Sequence, residues 1–413
     1  MKTRIPALCN LPSRWIASIA LVAIVIASAA PVQACPFCSA VQQTFAEEME
    51  AMDAVVFAEM VKPADPPPAE DPDALPKTTF KVTEVLKGDG WAKVGQPLEI
   101  HYFGKPDVKA KYLVMGADPP LVLWSTPLML SDRAYEYVKQ VAKLEKEPVK
   151  RLQFFLQFLE DDDEMLARDA YDEFARAPYA DVIALKPQLS REQLLDWIQD
   201  PEVSVSHRRL YFTMLGICGN REDAELLKTF MISGNRQQKA GLDAMIACYL
   251  TLIGADGMPL VEEHFLGNEK AEYADTYAAI MAVRFHGNET DAVPRDRLLE
   301  GLRHVLDRPA MADLVIPDLA RWKDWSVIDK VVILFKDADS NSNWVRVPVV
   351  NYLRACPLPE AKEQIEELKK IDPESVKRSE DFFPFSQFSD TPSTDGSKRP
   401  EPSGEADSNA GEG

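Results

Sequence analysis

Two cysteines carry the densest chemistry in this chain of 413 residues. Cys35-Pro-Phe-Cys38 is a Cys-x-x-Cys motif. That spacing can close a local disulfide, lower a thiol pKa for redox exchange, or supply two of the roughly four ligands that zinc takes. A zinc site lacks its other half here, because no second Cys-x-x-Cys is present and the five histidines are scattered. A thioredoxin-type redox site places the motif after a strand and before a helix. Here helical spacing follows the motif, but no strand precedes it.

What precedes it is a leader. Lys2, Arg4 and Arg14 stand ahead of an apolar run from Trp15 to Ala30, which ends at the small-residue cleavage site Val32-Gln33-Ala34. The run is short for a membrane span, which takes ~20 residues. Cleavage after Ala34 makes Cys35 the first residue of the mature chain. Val32-Gln33-Ala34-Cys35 also approximates a lipid-attachment box. The protein is therefore expected to be exported, to the periplasm, the cell envelope or the extracellular space. Cys35 and Cys38 are expected to be a site of disulfide formation or lipid attachment. Membrane contact is expected only if Cys35 is lipidated or the leader is retained.

Other chemical candidates fail on spacing. Asp337-Ala-Asp339-Ser-Asn341-Ser-Asn343 resembles a calcium loop but lacks the central Gly and the closing Glu, with Pro348 at the twelfth place. It reads as an inter-helix loop. Asp161-Asp162-Asp163-Glu164 reads as a helix N-terminus favoured by the dipole. Val261-Glu262-Glu263-His264 lacks the second histidine of a zinc-protease helix. No catalytic, cofactor-binding or metal-ligating residue is expected. Phe382-Phe383-Pro384-Phe385 is a candidate docking motif.

Net charge is −20, and loss of the three basic residues of the leader takes the mature chain to −23. Such a chain repels nucleic acid and anionic membrane surfaces, and is kept soluble by its charge. Of the remaining cysteines, Cys9 lies in the leader. Cys218, Cys248 and Cys356 are an odd set, read as free thiols buried as small hydrophobes.

The elements that must position these groups divide the chain in two. Helical spacing of Val41, Phe45, Met49 and Met52 predicts a helix from Ser39 as N-cap. Strands are predicted over Asp53–Val61, Thr78–Leu86, Pro97–Phe103, Lys111–Met115 and Leu121–Trp124, with a turn at Lys87-Gly88-Asp89-Gly90. Lys62 to Lys77 holds six prolines and four acids and cannot pair in a sheet. From Ser131 to about Ile371 the pattern is helical, opened by caps such as Ser131 and the Ser190–Gln193 capping box. Pro373 to Gly413 is rich in Pro, Ser, Gly, Asp and Glu, and is expected to be a disordered acidic tail.

Four helical stretches look alike: Arg168-DAYDEFA-Arg176, His207-RRLYFTMLGIC, Gln238-KAGLDAMIAC and Trp344-VRVPVVNYLRAC. The first three recur at the period of helical solenoids. With the link from Gly216 to Leu227, they resemble HEAT repeats. Asp53-AVVFAEMV, Phe80-KVTEVLKG and Lys111-YLVMG resemble the netrin-like module of metalloproteinase-inhibitor type. That resemblance implies an OB-type barrel and inhibition through the freed amine of Cys35. The sequence departs from that family in having Cys-x-x-Cys for Cys-x-Cys, and in having no cysteine between Cys38 and Cys218.

The expected architecture is α+β and multidomain. A signal peptide (1–34) precedes an OB-like β-barrel (35–144), an all-α HEAT-like solenoid (145–372) and the tail (373–413). The expected function is a non-enzymatic exported scaffold that binds another protein through the solenoid, without a cofactor and without nucleic acid. The alternatives are a thiol-redox or metal-binding protein acting through Cys35 and Cys38, or a metalloprotease inhibitor acting through the mature N-terminus.

Overall fold

A computed structural model of the chain describes residues 37–38, 42–65, 75–339 and 343–382. The protein is α+β, with an antiparallel, partly closed sheet followed by helices. Among the described residues the first element is helix α1 (Phe45–Ala51). Its N-cap is Thr44, which forms a full capping box with Glu47. The predicted start at Ser39 is corrected accordingly: residues 42–44 are not helical, and residues 39–41 lie outside the described ones.

Six strands follow: β1 (Ala54–Lys62), β2 (Thr78–Lys87), β3 (Pro97–Ile100), β4 (Lys111–Ala117), β5 (Leu123–Trp124) and β6 (Leu128–Leu130). Their order is β3-β2-β1-β4-β5, with β6 also on β4. In-register pairing sets Glu59 of β1 opposite Lys81 on one side and Lys111 on the other, an opposite-charge row across three strands. The β2 turn needs glycine at Gly88, where φ is +81° and a Cβ would lie 2.3 Å from Asp53 O.

Strand β1 is buried on both faces. Val56, Ala58 and Met60 join Phe80, Val82, Leu98, Tyr112 and Val114 in the barrel core. On its other face Phe57 meets Tyr135, ring centroids 4.3 Å apart, on α2 (Asp132–Val141). Ser131 caps α2 by accepting from Ala134 N at 3.0 Å.

The helices continue as α3 (Pro148–Phe155), α4 (Glu164–Arg176), α5 (Tyr179–Ala184), α6 (Arg191–Gln199), α7 (Val205–Cys218), α8 (Asp223–Met231), α9 (Leu242–Ile253), α10 (Met258–Val261), α11 (Tyr273–Glu289) and α12 (Arg295–Val305). Helix α9 packs between α7 and α11. Gly216 of α7 faces Thr251 and Cys248 of α9, where a Cβ would make ordinary contacts at 3.6 and 3.7 Å. Leu242–Leu266 is the one stretch among the described residues long and apolar enough to cross a membrane, and α9 begins it.

The chain divides into two compact units within α12, residues 1–301 and 302–413, so the barrel and the helices through α11 belong to one unit. The division therefore does not fall where strands give way to helices. The second unit contains α13 (Ile316–Arg321), α14 (Ile328–Asp337), α15 (Arg346–Ala355), α16 (Pro359–Ile371) and α17 (Pro373–Phe382). Pro348 stands in the first turn of α15, where a missing N–H costs little. Helix α17 corrects the predicted tail. It packs on α15 and α16, burying Val376 and the serines Ser375 and Ser379, so ordered structure extends to Phe382.

Candidate functional site

A concavity of the first unit lies where the sheet meets the first helices. It is a cleft of about 770 Å³. Five segments build it: α1, the β1–β2 end of the sheet, the C-terminal end of α2, α3, and the α4–α5 link. Its apolar lining includes Met49, Val55, Leu86, Val141, Leu144 and Leu152. The charged groups around that lining are largely committed to one another. Arg151 donates to both carboxylate oxygens of Glu173, at 3.0 and 2.9 Å. Arg176 lies 3.2 Å from Glu47 and donates to Asp172 O at 3.0 Å. Lys87 caps the C-terminus of α1 by donating to Met49 O at 3.0 Å and Glu50 O at 2.7 Å. Lys146 lies 3.2 Å from Glu50. Asp181 is the exception, a lining carboxylate outside these pairs.

The first turn of α1 is fixed to α4 by a buried carboxylate. Asp169 accepts from Phe45 N at 2.7 Å and from Tyr137 OH at 2.6 Å. Burial pushes its carboxyl up to about 7, against the two hydrogen bonds and with help from Glu173 and Asp172. Burial, then Asp169 itself, push the Tyr137 phenol up as well. Residues ahead of α1 are held by α4 and α11. Arg176 donates to Gln42 O, and Phe37 is buried, its ring 5.0 Å from that of Phe285. Tyr179 meets the same Phe285 ring edge-on at 5.1 Å.

Phe37 of the Cys-x-x-Cys motif is thus seated on Phe285 of α11. Cys35 lies outside the described residues, and Cys38 is half-buried. Cys248 and Cys356 are buried free thiols, and Cys218 is a half-buried one. Burial raises the pKa of both Cys218 and Cys248, the opposite of an activated nucleophile.

The other sequence candidates resolve into structure. Asp163 caps α4 by accepting from Met165 N at 3.1 Å, while Asp161 pairs with Arg133. Glu262 pairs with Arg297 from a π-helical turn, Glu262–Leu266. Asp337 ends α14, and residues 340–342 lie outside the described ones, as do residues 383–385 of the Phe-rich tail motif. Among the described residues no three His, Cys, Asp or Glu side chains are grouped to hold a metal. His207 is bonded to Glu160 at 2.8 Å and stacked on Tyr171 at 4.8 Å, joining α7 to the chain ahead of α4. Sequence reasoning missed Asp169 and the cleft. The one available signal for Asp169 was an acid standing in the apolar repeat of Arg168–Arg176.

Compared with known protein families, characterised proteins and solved structures, the chain matches none.

Proposed function

We propose that this is an exported, non-enzymatic scaffold that holds another protein, and that the cleft is where it does so. The barrel is read as netrin-like and the helices as HEAT-like, a combination that offers concave surface rather than a reaction centre. One observation carries the reading: an apolar lining bordered by charges already paired. Such a site has little to give to proton transfer or nucleophilic attack, whereas an apolar lining with a few polar anchors is what a bound segment needs. Asp181, outside those pairs, suits a partner that brings a cation beside its apolar residues. The redox, metal and inhibitor alternatives rest on Cys35 and Cys38. Burial of Phe37 gives that motif a part in holding the fold, and an inhibitory wedge would need the segment free.

A photo-crosslinking amino acid at Leu144, in the cleft, tests this against the same group at exposed Thr229 on α8. In extracts of the host envelope, the Leu144 probe is expected to yield a discrete adduct that the Thr229 probe does not. Ala142→Trp, which fills the cleft, is expected to remove it. An adduct that survives Ala142→Trp, or none specific to Leu144, would refute the proposal.

A further inference from the structure

The loop between β3 and β4 is built unlike the rest of the acidic surface. Seven consecutive residues, Phe103 to Lys109, are exposed. Phe103 is 74% exposed and Val108 is 55% exposed. Its base is anchored. Tyr102 turns inward and packs edge-on against Tyr112 at 5.5 Å and Phe80 at 5.8 Å. Tyr112 donates to Asp107 O at 3.0 Å. The Asp107 carboxylate accepts from Lys109 N at 2.8 Å, which commits one oxygen of the loop's lone acid to its own turn. Lys105 and Lys109 form no ion pair with the described residues, whereas Lys111 at the loop's end is 3.2 Å from Asp132. An anchored base therefore presents two apolar side chains flanked by two unpaired ammonium groups.

We infer that this loop docks on an anionic phospholipid bilayer, with Phe103 and Val108 entering the interface and Lys105 and Lys109 on the headgroups. The shape selects a bilayer over an anionic polymer. A nucleic acid or acidic chain long enough to bind would run beyond two lysines onto a protein of net charge −20. A plane touches only what protrudes. Charges more than about 8 Å from that plane are screened at physiological salt, so the local lysines decide the sign of the interaction. An aromatic ring beside lysines is the composition that lies at a bilayer boundary. The repulsion expected from net charge thus gives way at one place.

Phe103→Trp in the full chain, mixed with vesicles carrying brominated acyl chains, reads insertion at this position whatever the leader does. With one-third phosphatidylglycerol, the variant is expected to show quenching beyond that of the wild-type tryptophans. Pure phosphatidylcholine is expected to give none. Adding Lys105→Gln and Lys109→Gln is expected to weaken the vesicle dependence by about fivefold per lysine, the factor that corresponds to ~1 kcal/mol for each basic residue at such a surface. No extra quenching, equal quenching by neutral vesicles, or indifference to the lysine changes would each overturn the inference. So would a response to polyglutamate without one to vesicles, which would assign the loop to an acidic protein.

Discussion

Asp169 receives two hydrogen bonds, and neither donor is a cation. A carboxyl at about 7 in the fold and near 3.9 in the open chain binds its extra proton only when folded. Its contribution to stability is therefore fully present below about pH 4 and is lost as pH rises through 7. Asn keeps an acceptor for Phe45 N without the titration. Asp169→Asn is thus expected to gain on the wild type as pH rises from 4 to 7, by at most about 1.4 kcal/mol per pH unit. Urea denaturation of both proteins across that range checks it, and a constant difference would show a carboxyl that titrates normally. The comparison must be between the two chains, because His286 acts in the opposite sense. Burial lowers its pKa to about 4, against the pull of Ala247 O, so its contribution is present above about pH 6.5 and lost as pH falls toward 4.

At the scale of elements, the two ends of the helical run show how a few polar groups extend order. Asp372 stands before α17, where it accepts from Ser375 N at 3.0 Å and Ser375 Oγ at 2.7 Å and meets Arg346 at 2.9 Å. Burial works against its charge, but these partners outweigh it and hold the carboxyl down at about 2. Asp372→Ala is expected to cost about 2 kcal/mol in the second unit, the upper end for a lost N-cap. That cap explains why residues 373–382 read as unstructured. Their composition offers one buried aliphatic among the described side chains, Val376, beside Ser379, bonded to Asn351 and Arg354, and Ser375, bonded to Asp372. The strands β1, β2 and β4 were legible from the run Val55-Val56-Phe57, the alternation of Phe80 and Val82 with Lys81 and Thr83, and the apolar run Tyr112–Met115. Strand β3 ends three residues earlier than its pattern, since Tyr102 leaves the ladder to cover Tyr112. Strand β6, three residues after Pro127, is too short to show a period. The cleft was not legible at all, because five segments with ordinary compositions meet there only after folding.

For the whole molecule, the division within α12 gives each unit its own buried thiol, Cys248 in the first and Cys356 in the second. Of the three thiols in the helical part, half-buried Cys218 is expected to alkylate first in the native protein, with Cys248 and Cys356 protected. Asp372→Ala is expected to speed modification of Cys356 about 30-fold, as ~2 kcal/mol dictates, and to leave Cys248 unchanged. Mass spectrometry of pulse-alkylated protein reads both sites at once, and equal acceleration at the two would mean the units do not open separately.

Phe37, Phe45 and Met49 are made early, yet the partners of the first two come late. Asp169 must exist before the amide of Phe45 has its acceptor, and Phe285 before Phe37 has its seat. At ~5–20 residues per second, the wait for Phe285 is on the order of 10–50 s. During synthesis Phe37 and Phe45 therefore wait uncovered while most of their unit is made, and the segment ahead of α1 is among the last in that unit to find its place.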